Sequence, residues 1–145
     1  MNRRALAAVA VVAVLGLAGC SSPAGPEVLA REATAEDQLP EPVSLTGVDT
    51  DIKAGSARLL TTYEDVKYFG AKSSTGGSAC LIVVPVGLPE RWVAGCSAAA
   101  TGEEILTLTS VDGSMTKLIN DGVDTSQPKY KGWTQIHENV LIGSR

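Results

Sequence analysis

From residue 56 to the C-terminus the sequence predicts a small all-β domain, an antiparallel sandwich or barrel of about six or seven strands carrying one disulfide. Three observations lead there. Val, Ile, Thr and aromatic residues fall in short runs separated by turn residues. Asp112-Gly113 divides two apolar runs in the way a hairpin turn does. Cys80 and Cys96 form an even pair once Cys20, which stands at the end of an N-terminal apolar run, is set aside.

The strands are expected at 57–62, 66–72, 79–86, 91–96, 105–110, 115–119 and 134–142, joined in part by three hairpins. The middle hairpin is the most constrained. A bond between Cys80 and Cys96 across it centres the register on Leu88, setting Ile82 opposite Ala94, Val84 opposite Trp92 and Val83 opposite Val93. Apolar residues then occupy both faces, as in a strand pair buried on two sides, with Gly87-Leu88-Pro89-Glu90 as the turn. A disulfide between strands of different sheets fits the sequence as well. In the chain-entropy view a closed loop of about 15 residues stabilises a fold by about 3 kcal/mol. At the next hairpin, Asp112 and Gly113 are expected to form a two-residue turn with both residues at positive φ, which makes Leu106 face Ile119.

Before the domain the chain has a different character. Arg3 and Arg4 precede an apolar run from Ala5 to Leu17, followed by Ala18, Gly19 and Cys20. An apolar helix of about 13 residues is roughly 20 Å long, short of the hydrocarbon core of about 30 Å, so it suits a segment that is removed. The small residues Ala18 and Gly19 fit a peptidase cleft, and the Cys20 sulfur is the natural acceptor for a diacylglycerol group. Leu17-Ala18-Gly19-Cys20 therefore reads as the lipobox of a bacterial lipoprotein: residues 1–19 are a signal peptide, and Cys20 is the first mature residue, held at the membrane by fatty acyl chains. Export also accounts for a disulfide between Cys80 and Cys96, since no CxxC and no nearby histidine favour a redox or metal role.

Residues 20–55 hold Pro23, Pro26, Pro40 and Pro42, few large apolar side chains, and seven acids against Arg31 and Lys53. Such a stretch is expected to be an acidic disordered tether with a reach of roughly 30 to 35 Å, with at most a short helix near Val28 to Asp37. Residues 56–145 carry eight Lys or Arg and nine Asp or Glu, a near-neutral balance that argues against a nucleic-acid partner.

Motifs of catalysis are sparse. His137 is the only histidine, so no multi-histidine zinc site is expected and a lone strand histidine reads as structural or solvent-facing, and there is no GxSxG, HExxH or P-loop. Gly76-Gly77 within Ser73-Ser-Thr-Gly-Gly-Ser lacks the lysine of a phosphate loop and reads as a connector. Asn120-Asp121-Gly122-Val123-Asp124 offers oxygen ligands, but no acid closes a calcium loop at the required spacing, so a tight turn is expected. Glu103 and Glu104 are adjacent and on a strand would point to opposite faces. No metal or cofactor is expected. The segment Gln127 to Trp133 presents Lys129, Tyr130, Lys131 and Trp133, a basic and aromatic mixture suited to an anionic ligand, a glycan or a partner surface. Packing of Trp133 into the core with solvated lysines is the competing and preferred reading of those four residues.

Arg58-Leu59-Leu60, Tyr68-Phe69, the Cys80-Leu81 strand, Trp92 to Cys96, Asp121-Gly122-Val123 and the closing Asn139-Val-Leu-Ile together resemble small actinobacterial surface lipoproteins. The resemblance implies an envelope location and a disulfide-stapled β domain, and it brings no catalytic residue; Asn120 stands where those proteins have proline before Asp-Gly-Val. The expected function is a membrane-anchored extracytoplasmic protein whose non-catalytic domain binds a protein, glycan or lipid of the envelope. A hydrolase whose carboxylates meet only in the fold, and a structural envelope protein, are the alternatives.

Overall fold

The computed structural model describes residues 25–45, 51–98 and 100–143. Eight strands form two four-stranded antiparallel sheets. The first is a meander of β1 (Arg58–Tyr63), β2 (Val66–Lys72), β3 (Ala79–Pro85) and β4 (Val93–Cys96). The second contains β5 (Glu104–Thr109), β6 (Met115–Ile119), β7 (Trp133–His137) and β8 (Val140–Gly143) in the order β5-β6-β8-β7. Between the sheets, Leu60, Tyr68, Leu81 and Val83 pack with Ile105, Leu118 and Val140, so the fold is the disulfide-stapled sandwich that the sequence predicts.

The register of β3 on β4 is the expected one. Cys80 pairs with Cys96, Ile82 with Ala94 and Val83 with Val93, which places the disulfide inside one hairpin and not between sheets. Val84 and Trp92 lie beyond the ladder, because Pro89–Arg91 forms a 3-10 turn that ends at Trp92. Strand β3 is buried on both faces: its odd residues enter the inter-sheet core, while Cys80, Ile82 and Val84 join Phe69 and Ala71 on the outer face.

That outer face is covered, and its cover corrects the expected tether. Val43, with Leu39 and Leu45, lies over Phe69, Ile82 and Val84, while Leu29 is driven into the inter-sheet core at 1% exposure. Gly70 makes room for Leu29; a Cβ there would stand 2.8 Å from Leu29 Cδ2. Residues 25–45 are thus a strap folded onto the sandwich, with 3-10 turns at Glu27–Ala30 and Ala35–Asp37 in place of the short helix. The composition argument weighed the apolar content of this stretch by itself. The stretch needs no core of its own, because β2 and β3 offer it an apolar surface. The rest of the expected tether, 20–24 and 46–50, lies outside the described residues, as do the signal peptide and Cys20.

Asp37 fastens the strap. Its buried carboxylate accepts two hydrogen bonds from the Arg31 guanidinium, at 2.6 and 2.7 Å, and one each from the N–H groups of Thr34 and Leu59, both at 2.7 Å. The Arg31 bonds, reinforced by those backbone donors against the opposing effect of burial, hold the carboxyl far below the ordinary range. Arg58 adds a second tie, donating from Nε to the Arg31 carbonyl at 2.9 Å.

Two turns differ from expectation. The β5–β6 connection closes with Ser110 donating to the Ser114 carbonyl at 2.8 Å and pairs Leu106 with Leu118, so the loop has one residue more than a two-residue turn. Only Gly113 has positive φ there, at 83°, as in a type I turn followed by a left-handed glycine. The expected single strand at 134–142 is a hairpin: it breaks at Glu138-Asn139, and His137 pairs with Val140. Asn139 is fully buried in that turn, donating from Nδ2 to the Ile119 carbonyl at 3.2 Å and to Asp121 Oδ1 at 2.8 Å. These bonds reward the break.

Candidate functional site

The four residues of the basic and aromatic segment separate in the fold. Pro128–Tyr130 is a single 3-10 turn, closed by the Tyr130 N–H donating to the Gln127 carbonyl at 3.0 Å. It lays Tyr130 over Ile119 and Leu141 on the outer face of the second sheet, where the ring is buried. Trp133 opens β7 half-buried, its ring lying along Gly143, where a Cβ would meet it at 3.2 Å. Between the two rings runs Lys117, a residue the sequence reading passed over. Its Nζ lies 4.5 Å from the Trp133 ring and 5.7 Å from the Tyr130 ring, and donates to Glu104 Oε2 at 2.8 Å. Lys129 sits 5.0 Å above the Tyr130 ring and pairs with Glu103. The hydrogen bond from Lys129, helped by one from Gln127, lowers the Glu103 carboxyl, and Glu103 in turn raises Lys129.

This face is therefore compensated from within, each acid holding a different lysine and each lysine resting on an aromatic ring. Lys131 is exposed and forms no ion pair among the described residues. Tyr130 and Trp133 act as the cover of a small satellite core, and the segment presents less ligand-facing surface than its composition suggests.

The remaining polar motifs are likewise engaged. Asp121 bridges the strap and the last hairpin, its Oδ2 accepting from the Glu27 N–H at 2.7 Å while Oδ1 holds Asn139. Asp124 accepts from the Ser126 hydroxyl and N–H at 2.6 and 3.0 Å, and those bonds lower its carboxyl. His137 is half-buried, which lowers its pKa, and its Nδ1 accepts the Asn139 N–H at 3.1 Å. Among the described residues no three His, Cys, Asp or Glu side chains converge as metal ligands would.

A groove lies at the end of the sandwich where the β1–β2, β3–β4 and β5–β6 connections meet. A cavity of about 180 Å³ holds Tyr68 and Val83 on its floor and Leu88 and Val111 on its rim. A second opening, of about 490 Å³, continues past Tyr68 to Tyr63, Met115 and Thr134. Leu88 is 46% exposed and Val111 71%, so both rim residues present apolar surface to water. Burial, with the Glu64 and Asp112 carboxylates nearby, raises the Tyr68 phenol. Sequence reasoning missed this groove. Its signal was an apolar residue at each of two loop tips, Val86-Gly87-Leu88 and Ser110-Val111-Asp112, where polar residues usually stand.

Fold and sites together define a disulfide-bridged two-sheet sandwich, bound by an N-terminal strap and open at one end. Comparison with protein-family models, with curated proteins and with solved structures finds no match.

Proposed function

We propose that this chain is an exported lipoprotein, anchored at the membrane through Cys20, whose sandwich is a non-catalytic binding module for a component of the cell envelope. The observation that carries the binding reading is the open groove lined by Leu88 and Val111, both exposed. The directions of the carboxyl shifts support it. Asp37, Glu103 and Asp124 are all lowered by partners that use them structurally, whereas a general acid needs a raised pKa. Export is supported by the bond between Cys80 and Cys96, since disulfides persist in oxidising compartments.

Two measurements test the parts separately. Changing Cys20 to Ala is expected to move the protein out of the membrane fraction, and retention there would refute the anchor. A photo-crosslinking residue at Val111 of the full chain, in intact envelopes, is expected to give a discrete adduct that Leu88→Asp abolishes. The same residue at Thr107, exposed on β5, is the control. No adduct at Val111, or equal adducts at both positions, would overturn the binding reading.

A further inference from the structure

Away from the groove, the strap, Lys53 and the β2–β3 connection border an open cavity of about 370 Å³, and its lining is chemically one-sided. Lys53, Lys72, Ser74 and Ser78 contribute cationic and hydroxyl groups, Ala30 is its exposed apolar residue above the buried Pro26 and Leu29, and no carboxylate takes part. The two lysines are neighbours by construction. Ile52 bridges Ser73 in antiparallel fashion, and Lys53 N–H donates to the Lys72 carbonyl at 2.8 Å, so Lys53 and Lys72 are the next opposed pair. Like charges directly opposite one another across strands repel, and neither lysine forms an ion pair among the described residues. A doubly positive pair facing a cavity with hydroxyl donors and no acid is complementary to an anion of charge near two.

We propose that this cavity binds a phosphate monoester, with the phosphate between Lys53 and Lys72 and the ester's carbon chain beside Ala30. Lysine is a point-charge phosphate binder, and a phosphate monoester carries −1.5 to −2 charges near neutral pH, about the charge this pair calls for. The fold supplies the lysines that the Gly76-Gly77 loop lacks in sequence, by bringing Lys53 to it from a distant segment. The ester has two sources. One is a soluble metabolite. The other rests on the lipid anchor proposed above: Gly25 is five residue steps from Cys20, a span of at most about 17 Å, which would hold the cavity beside the headgroups of the membrane.

The test is a titration of the full chain, purified in non-ionic detergent, with glycerol phosphate, followed by NMR. Saturable shifts of the Ser74, Gly76 and Gly77 amides are expected. Lys53→Gln/Lys72→Gln should weaken binding by about tenfold or more, leave the Leu118 signals in place, and melt no lower than the parent chain because a repulsion has been removed. Absence of saturable shifts, an equal response to chloride at matched ionic strength, or undiminished binding by the double variant would overturn the site. Reconstitution into phosphatidylcholine vesicles with and without phosphatidic acid, a lipid phosphate monoester, separates the sources. A headgroup ligand shifts the same amides only in the anionic vesicles and blocks glycerol phosphate there; a soluble ligand binds equally in both. The detergent titration needs no anchor, so its failure removes the cavity as a site and leaves anchoring standing. Retention of Cys20→Ala in membranes does the reverse.

Discussion

Leu29→Ala separates a folded strap from a tether more sharply than any other single change. Leu29 is 1% exposed, within the core shared by both sheets, and presses on Gly70 of β2. The substitution removes three carbons, worth about 0.8 kcal/mol each in burial alone, or about 2.4 kcal/mol. The cavity left behind raises the expected loss to about 3 to 4 kcal/mol, within the range seen for buried leucines. For a domain near this size the melting temperature should fall by about 12 to 25 °C. A double-mutant cycle sharpens the test. A methyl group at Gly70 would stand 2.8 Å from Leu29 Cδ2, so Gly70→Ala alone should be unfavourable by about 1 to 3 kcal/mol. In the Leu29→Ala background the same methyl enters vacated space, and the double variant should be more stable than the sum of the singles predicts. Urea denaturation of the full chain, with its disulfide intact, measures all three. A loss below about 0.5 kcal/mol for Leu29→Ala, the size of a surface change, would refute the packed strap, as would strict additivity.

Asp37 makes the strap sensitive to acid. Its folded carboxyl titrates below the ordinary value of 3.8, so the stability it contributes is complete above about pH 4 and is lost as pH falls through the folded pKa. Asp37→Asn should lower stability at neutral pH by about 2 to 3 kcal/mol and flatten the decline below about pH 4; denaturation curves from pH 7 to 2 that are parallel for both proteins would contradict this. In the β1–β2 turn, Glu64 and Asp65 occupy left-handed backbone at φ 45° and 59°, the geometry that favours Asn-Gly. Glu64→Asn/Asp65→Gly should therefore raise stability by about 1 kcal/mol, and thermal melts showing no gain would count against strain at this turn.

Much of the sandwich is legible in the sequence, because alternation and cysteine pairing act locally. Strands β2 and β6 fall at the positions read from their apolar runs, and the β3–β4 register follows from requiring Cys80 to meet Cys96. What escaped was settled by distant contacts. Nothing near Glu138-Asn139 marks a hairpin as Gly would, yet the buried Asn139 finds partners in Ile119 and Asp121, about twenty residues back in the chain. The Asp112-Gly113 turn is one residue longer than its dipeptide suggests, which moves Leu106 from Ile119 to Leu118. Of the basic and aromatic segment, the expected packing of Trp133 holds in part, since its ring is half-buried and Lys129 pairs with Glu103; Lys117, which lies by both rings, is not legible, since a lysine on an apolar strand gives no sign of the rings above it.

The strap also changes where the folding unit begins. A sheet that is apolar on both faces cannot leave one of them to water, and Phe69, Ile82 and Val84 lie on the face away from the second sheet. Something must cover them. Val43, Ile52 and Trp92 do so, drawn from three separate parts of the chain, while Asp37 satisfies the Leu59 N–H at the edge strand β1. The boundary expected at residue 56 therefore cuts through a core, and the unit that buries its own surface starts no later than Pro26. Moving that boundary shortens the unassigned link to Cys20 from about 35 residues to about five, a change from roughly 30 to 35 Å of flexible reach to at most about 17 Å. Under the proposed anchor, that difference decides whether the sandwich is lifted clear of the bilayer or held at its surface, where the Lys53–Lys72 cavity would meet phosphate.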